Sequence, residues 1–270
     1  MYLTAPMRAA LRAFMVIALV LLYIPLLLVV VNAFNSSRTF AFPPTGLTLK
    51  WWNAAVHSSG ALDALWASVR AGVGATAIAL VLGTMAAFAV QRYRFFGRST
   101  VSFLVVLPIA LPGIVTGIAL NAAFRNVLGP LGIGFGLITV IIGHATFCIV
   151  IVFNNVQARL RRMSGGLEEA SADLGATGWQ TFWHVTLPNV RGALAAGALL
   201  AFGLSFDEIV VTTFTASPDV HTLPLWIFDN LFRPNQAPVV NVVAAVLIVV
   251  AVLPVWLAQR LSDDVAGSRF

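Results

Sequence analysis

Two adjacent acids, Asp207 and Glu208, stand inside the apolar run Ala193–Ala216. A single aspartate at the centre of a membrane helix costs about 2.5–3.5 kcal/mol on insertion scales, so neither acid is expected to face lipid. Three uses are open. The acids pair structurally with Arg70 or Arg125, they sit at a helix break nearer the external surface, or they line a water-filled path and attract a cationic solute. On the third use, Phe206 and Trp226 would lend aromatic faces to ammonium groups. A hydrolytic use of Ser205 with His144 fails on sequence: Gly203-Leu204-Ser205-Phe206 lacks the second glycine of a Gly-x-Ser-x-Gly elbow, and no third partner is evident.

The remaining polar groups in apolar runs read as glue between helices. His144, Asn121, Asn154 and Asn155 are expected to make interhelical hydrogen bonds, and Thr116, Thr212 and Thr213 have the option of bonding their own helix backbone. No histidine and carboxylate spacing suggests a metal site, and Gly129-Pro130-Leu131-Gly132-Ile133-Gly134 follows no strand and is a turn rather than a phosphate loop. Cys148 is the only cysteine, which excludes an intramolecular disulfide.

A polar, arginine-flanked island at 157–192 interrupts the apolar pattern. Leu167, Ala170 or Ser171, and Leu174 recur at helical spacing before Gly175. Trp179, Phe182 and Trp183 then recur at i, i+3 and i+4 until Pro188. The pattern predicts two short amphipathic helices joined at a glycine elbow, each too short to be stable alone in water. Gly175, Ala176, Thr177 and Gly178 leave room for another backbone to approach. Trp179 and Trp183 either anchor a partner there, or tuck under the chain's own spans or into the lipid interface.

Composition supplies the setting. Hydrophobic residues make up 59% of the chain and charged residues 10%, against about 25% charged in soluble domains, and the mean hydropathy is +0.92. Such a chain does not cover a soluble surface. Its net charge of +6 forms no basic stripe interleaved with aromatics, which argues against nucleic acid; the arginines cluster at the ends of apolar runs instead. A span takes about 20 apolar residues, and six runs qualify: Phe14–Phe34, Leu65–Val90, Val101–Phe124, Phe135–Val156, Ala193–Ala216 and Val239–Ala258. The first is preceded by Arg8 and Arg12 and followed by Val31-Asn32-Ala33, a passable cleavage site, but its apolar run exceeds that of a signal peptide and is expected to stay as a span.

Basic residues set the orientation. With the amino terminus inside, Arg8, Arg12, Arg92, Arg94, Arg98, Arg159, Arg161, Arg162, Arg191, Arg260 and Arg269 fall on the cytoplasmic side, a bias of about two to one. Both termini and the island are then cytoplasmic. The expected organisation is a first helix with an external segment at 1–60, a transmembrane domain at 61–260, and a tail at 261–270. In the external segment, Pro43-Pro44-Thr45-Gly46 signals a turn and Trp51-Trp52 an interfacial anchor. In the third span, Pro108, Pro112, Gly113 and Gly117 predict a kinked helix that packs closely on neighbours or lines a path.

The island resembles the cytoplasmic signature of permease subunits of bacterial binding-protein-dependent ABC importers, Glu-Ala-Ala-x-x-x-Gly running on to Ile-x-Leu-Pro. Here the residues are Glu169-Ala170-Ser171, Gly175 and Val185-Thr186-Leu187-Pro188, departing at Ser171 and Val185. Gln91-Arg92-Tyr93-Arg94-Phe95, Pro112-Gly113-Ile114-Val115-Thr116-Gly117, Ser205-Phe206-Asp207-Glu208 through Phe214, and Leu223-Pro224-Leu225-Trp226 are similar to the polyamine (spermidine/putrescine) branch of that family. The resemblance implies an all-α type I importer fold with six transmembrane helices in the bacterial inner membrane. It implies a second homologous permease, two cytoplasmic ATPase subunits and a periplasmic solute-binding protein as partners. The island would be the coupling helix region, with Glu169, Ala170, Ser171, Gly175, Ala176, Thr177, Gly178, Trp179, Phe182, Leu187 and Pro188 at the ATPase contact. Phe206, Asp207, Glu208 and Trp226 would lie on the substrate path. ATP and magnesium would belong to the ATPase partner, since this chain carries no Walker-type loop. Other small solutes (ferric iron, thiamine, an aminophosphonate) are the alternative cargoes, and an ion-coupled secondary transporter is the alternative class.

Overall fold

The computed structural model describes residues 4–38, 42–233 and 235–267. Arg269 of the expected inner-side cluster, and residues 268–270 of the tail, lie outside the described residues. Among the described residues the secondary structure is helical, with one isolated bridge between Asn35 and Leu47. Helices α1 (Ala5–Asn32), α3 (Ser59–Arg92) and α6 (Leu137–Arg162), together with the continuous helical segments Gly113–Leu131 and Gly178–Phe206, are long and apolar enough to cross a membrane. The shorter apolar stretches Arg98–Ala110 and Ala237–Leu253 complete the set. The contacts divide the chain into two units, one of residues 1–62 with 226–250, the other of 63–225 with 251–270.

In the first unit, α1 is exposed along most of its apolar length, as a lipid-facing helix is. The segment after it folds around Asn35, whose Oδ1 accepts from the backbone N–H groups of Ser37 at 3.1 Å and Thr45 at 3.2 Å. Trp51, on α2 (Lys50–Val56), is buried and donates Nε1–H to the Asn35 carbonyl at 2.9 Å, while Trp52 lies 5.1 Å from the Phe34 ring. The pair expected to anchor at the lipid interface therefore packs inward on its own chain. The carbonyl satisfies the Trp51 N–H, whereas the buried Trp52 Nε1–H has no hydrogen-bond partner among the described residues.

The second unit is organised by α6, whose Val140, Cys148, Val150, Val152, Phe153 and Val156 are fully buried. Small residues let its neighbours come close. Ala75, Ala79 and Ala87 of α3 are fully buried, and a Cβ on Gly83 would stand 2.9 Å from the Ile149 carbonyl oxygen. On α9 (Leu187–Phe206), a Cβ on Gly197 would meet the Val152 Cα at 3.4 Å.

Three expected helices differ in outline. The third span is not one kinked helix. It breaks at Leu111 into α4 (Arg98–Ala110) and α5 (Gly113–Ala123), with Leu111 extended at φ −82°, ψ 145°, because the residue before a proline is driven out of the helical region. The fifth span also breaks, between Phe206 at the end of α9 and α10 (Val210–Thr215). At its other end Pro188 does not stop the helix. The island forms α7 (Gly166–Asp173) and α8 (Gly178–Thr181), and α8 passes through a wider π turn (Phe182–Thr186) directly into α9. Pro188 falls in the first turn of α9, where its missing N–H costs least. The short α11 (Leu223–Leu231) and the long α12 (Ala237–Gly267) follow.

Candidate functional site: an outward-facing loop and a double helix break

The island turns back at Gly175, whose φ of +85° is left-handed and favours glycine. Its N–H bonds the Ala172 carbonyl at 2.9 Å, and Ala176 N–H bonds that of Ser171 at 3.1 Å. Beyond it, Thr177 starts α8 with a reciprocal cap: its N–H donates to Gln180 Oε1 at 2.8 Å, and Gln180 N–H reaches Thr177 Oγ1 at 3.4 Å. Such a box stabilises a helix start whose first N–H groups have no internal partner.

The faces of this loop are arranged opposite to those of a core helix. Leu174 (89% exposed), Trp179 (69%), Trp183 (48%) and Leu167 (47%) point away from the chain. Trp179 meets Trp183 at 5.5 Å and Phe182 at 6.0 Å, and Phe182 packs on Phe88 of α3 at 5.7 Å. Glu168, Ser171, Thr181 and Thr186 face inward, while Glu169, Asp173, Thr177, Gln180 and His184 are exposed. Ser171 Oγ lies 3.0 Å from Thr181 Oγ1, which ties the two arms of the elbow together. Glu168 takes the Thr186 hydroxyl on Oε1 at 3.0 Å and Arg92 Nε on Oε2 at 3.1 Å. Glu169, Ala170 and Gly178 are exposed, Ala176 is half-buried, Leu187 packs against the core and Pro188 is exposed. Glu168 was missed in the sequence because the apolar residues set the helical face; its place three residues before Ser171 is the signal that would have found it.

The second feature is the break at Asp207–Ile209. Non-helical backbone at membrane depth is tolerated where it is buried in protein or lines a water-filled cavity. Three side chains, from α5 and α6, hold α10 in place. Asn121 of α5 donates Nδ2–H to the Phe214 carbonyl at 2.6 Å, and Thr139 of α6 donates its hydroxyl to the Thr215 carbonyl at 2.6 Å. His144, fully buried, contacts Ser205 Oγ through Nδ1 and Thr212 Oγ1 through Nε2, both at 2.8 Å, and so bridges the two sides of the break. Contacts without room for a methyl seal the arrangement: a Cβ on Gly117 would stand 2.5 Å from the Phe214 ring, and one on Gly113 3.3 Å from Val210. The breaks in the third and fifth spans therefore adjoin.

The two acids have different surroundings. Glu208 Oε1 accepts the Val211 N–H at 2.7 Å, so its carboxyl caps α10. Asp207 is exposed. Neither makes an ion pair with Arg70 or Arg125 among the described residues. Arg125 is held by Asn121 Oδ1 at 2.9 Å and lies 5.5 Å over the Phe135 ring. The helix break is thus the observed setting of the acids. Phe206 is 2% exposed and stacks on Phe202 at 5.6 Å, and Trp226, in the first unit, is 9% exposed. Both rings expected to face a solute are turned into packing here. No group of three or more histidine, cysteine, aspartate or glutamate residues gathers at metal-binding distance among the described residues.

The profile described as "Binding-protein-dependent transport system inner membrane component" matches residues 79–267. The spermidine/putrescine transport system permease protein PotC of Escherichia coli K12 is 34% identical over 243 residues, covering 90% of each chain. The putrescine transport system permease protein PotI of the same strain is 32% identical, covering 84% of this chain and 81% of that one. In fold, the chain is similar to a bacterial ABC transporter involved in import of the acidic polysaccharide alginate, with a TM-score of 0.69 at 17% identity, covering 98% of this chain and 99% of that one.

Proposed function

Because the chain belongs to the family of binding-protein-dependent transport system inner membrane components, we propose that it moves polyamines inward as the permease subunit of an ATP-driven importer. Its partners are a second homologous permease, two cytoplasmic ATPase subunits and a periplasmic solute-binding protein. ATP and magnesium bind the ATPases, this chain holds no cofactor, and both of its termini lie in the cytoplasm. One observation carries the docking of the ATPase: Leu174, Trp179 and Trp183 are exposed together on a loop that turns Glu168, Ser171 and Thr186 inward. A loop left to water would not hold two tryptophans and a leucine exposed side by side.

The cargo assignment rests on the names of PotC and PotI and on one exposed acid at adjoining helix breaks, Asp207. A polycation needs carboxylates along its route, and of the two acids at the break Asp207 is the exposed one. Transport proceeds as the ATPases close and open and the bundle alternates between two facings. Radiolabelled uptake by the reconstituted complex, competed with putrescine, spermidine and an anionic solute, tests this. Competition by the two polyamines alone is expected; competition by the anion alone overturns the cargo.

A further inference from the structure

The exposed residues of the loop explain how a partner holds it, but not how its movement reaches the spans. A docked helix that turned freely about Gly175 would deliver nothing. Two polar contacts on the inner face of α7 prevent that. Ser171 reaches Thr181 at 3.0 Å, which joins α7 to α8. One turn earlier, Glu168 reaches two separate spans at once. Its Oε2 meets Arg92 Nε at 3.1 Å on the last residue of α3, and its Oε1 accepts the hydroxyl of Thr186, 3% exposed, in the turn that opens α9.

We infer that Glu168 is a positioning residue that locks the docking helix to the ends of the second and fifth spans, so that a displacement of α7 moves both together. The inference rests on the importer reading above. The adjacent Glu169 is exposed and makes no ion pair among the described residues, so the two glutamates divide the work: one faces outward, the other holds the loop to the bundle.

The local chemistry supports a coupled unit. Arg92 Nε and Nη2 are buried and lack a hydrogen-bond partner, so the Glu168 charge is what offsets the guanidinium. An arginine so placed is costly to leave alone, which makes the two side chains interdependent. The Phe88–Phe182 edge contact at 5.7 Å runs beside this pair and joins the same two spans. It supplies packing area but no directional lock. Removal of the ion pair is therefore expected to loosen transmission while leaving docking in place.

The test is a double-mutant cycle in the whole reconstituted complex, with ATP hydrolysis, polyamine uptake and subunit co-purification read together. Glu168→Gln and Arg92→Gln are each expected to lower the polyamine moved per ATP by about fivefold, with the double variant no worse than the poorer single, since residues in one network are non-additive. Co-purification with the ATPases is expected to stay complete. Thr186→Val removes one hydroxyl and should lower the ratio in the same direction; Thr186→Ser restores it. Should either glutamine variant fail to assemble, the two Thr186 variants decide. An unchanged ratio in the variants, or losses that multiply in the double variant, overturns the inference while the importer reading stands. An unmodified complex that moves no cargo with ATP overturns both.

Discussion

His144 Nε2 lies 2.8 Å from Thr212 Oγ1, and this contact joins the first third of α6 to a helix of only six residues. The other ring nitrogen reaches Ser205 at 2.8 Å. One imidazole thus ties together the two helices on either side of the break that carries Asp207 and Glu208.

His144→Leu should leave the buried Ser205 hydroxyl without this partner, at about 1–3 kcal/mol, whereas Thr212 keeps its bond to the Glu208 carbonyl. The expected outcome is a lower Tm of the purified complex and reduced uptake, with ATPase co-purification intact. An unchanged Tm would show that the bridge carries no stability.

Asp207 and Glu208 should separate on substitution. Asp207→Asn removes the exposed charge and is expected to lower polyamine uptake by about tenfold or more, a charge-assisted contact contributing about 1.5–3 kcal/mol. Glu208→Gln keeps an oxygen able to accept the Val211 N–H and is expected to lower uptake less, whereas Glu208→Ala loses the cap at about 0.5–2 kcal/mol. Uptake at the unmodified level in Asp207→Asn removes that residue from the path.

Gly175 allows a clean comparison. No atom lies within 4 Å of a Cβ built there, yet its φ is +85°. Gly175→Ala should therefore cost only backbone strain, about 1–2 kcal/mol. Gly175→Leu is expected to abolish co-purification with the ATPases by obstructing a partner's backbone. Full binding and uptake in the leucine variant would contradict docking at the elbow.

Gly117→Ala is expected to destabilise the chain by about 1–3 kcal/mol, as overpacking does, because its methyl would meet the Phe214 ring at 2.5 Å. Gly129→Ala, where nothing lies within 4 Å, is the matched control. Equal thermal midpoints for the two would argue against the close packing of α5 on α10.

Much of the helical architecture was legible because apolar length and arginine placement obey simple rules of the bilayer, as Leu137–Arg162 and Ser59–Arg92 illustrate. What periodicity could not decide is which side of a short helix is the inside. Leu167 and Leu174 recur correctly, but in α7 they face out while Glu168 and Ser171 face in. A rule built on water-soluble cores reads such a helix backwards. The break at Asp207 was among the readings open at the start, and its neighbouring acids gave the signal. Its custodian, His144, lies 61 residues from Ser205, a pairing that no local pattern encodes. Pro188 misled for another reason: a proline forbids the helix interior but suits a first turn, and only the π turn at Phe182–Thr186 places it there.

The most direct measurement is polyamine uptake into proteoliposomes that hold this chain, its companion permease and the ATPases, supplied with the binding protein, with and without ATP on the ATPase side. Uptake is expected to require ATP and every partner, and to disappear when Trp179 and Trp183 are both replaced by alanine. Uptake by this chain alone, with no nucleotide present, would contradict an importer driven through the loop at 157–192.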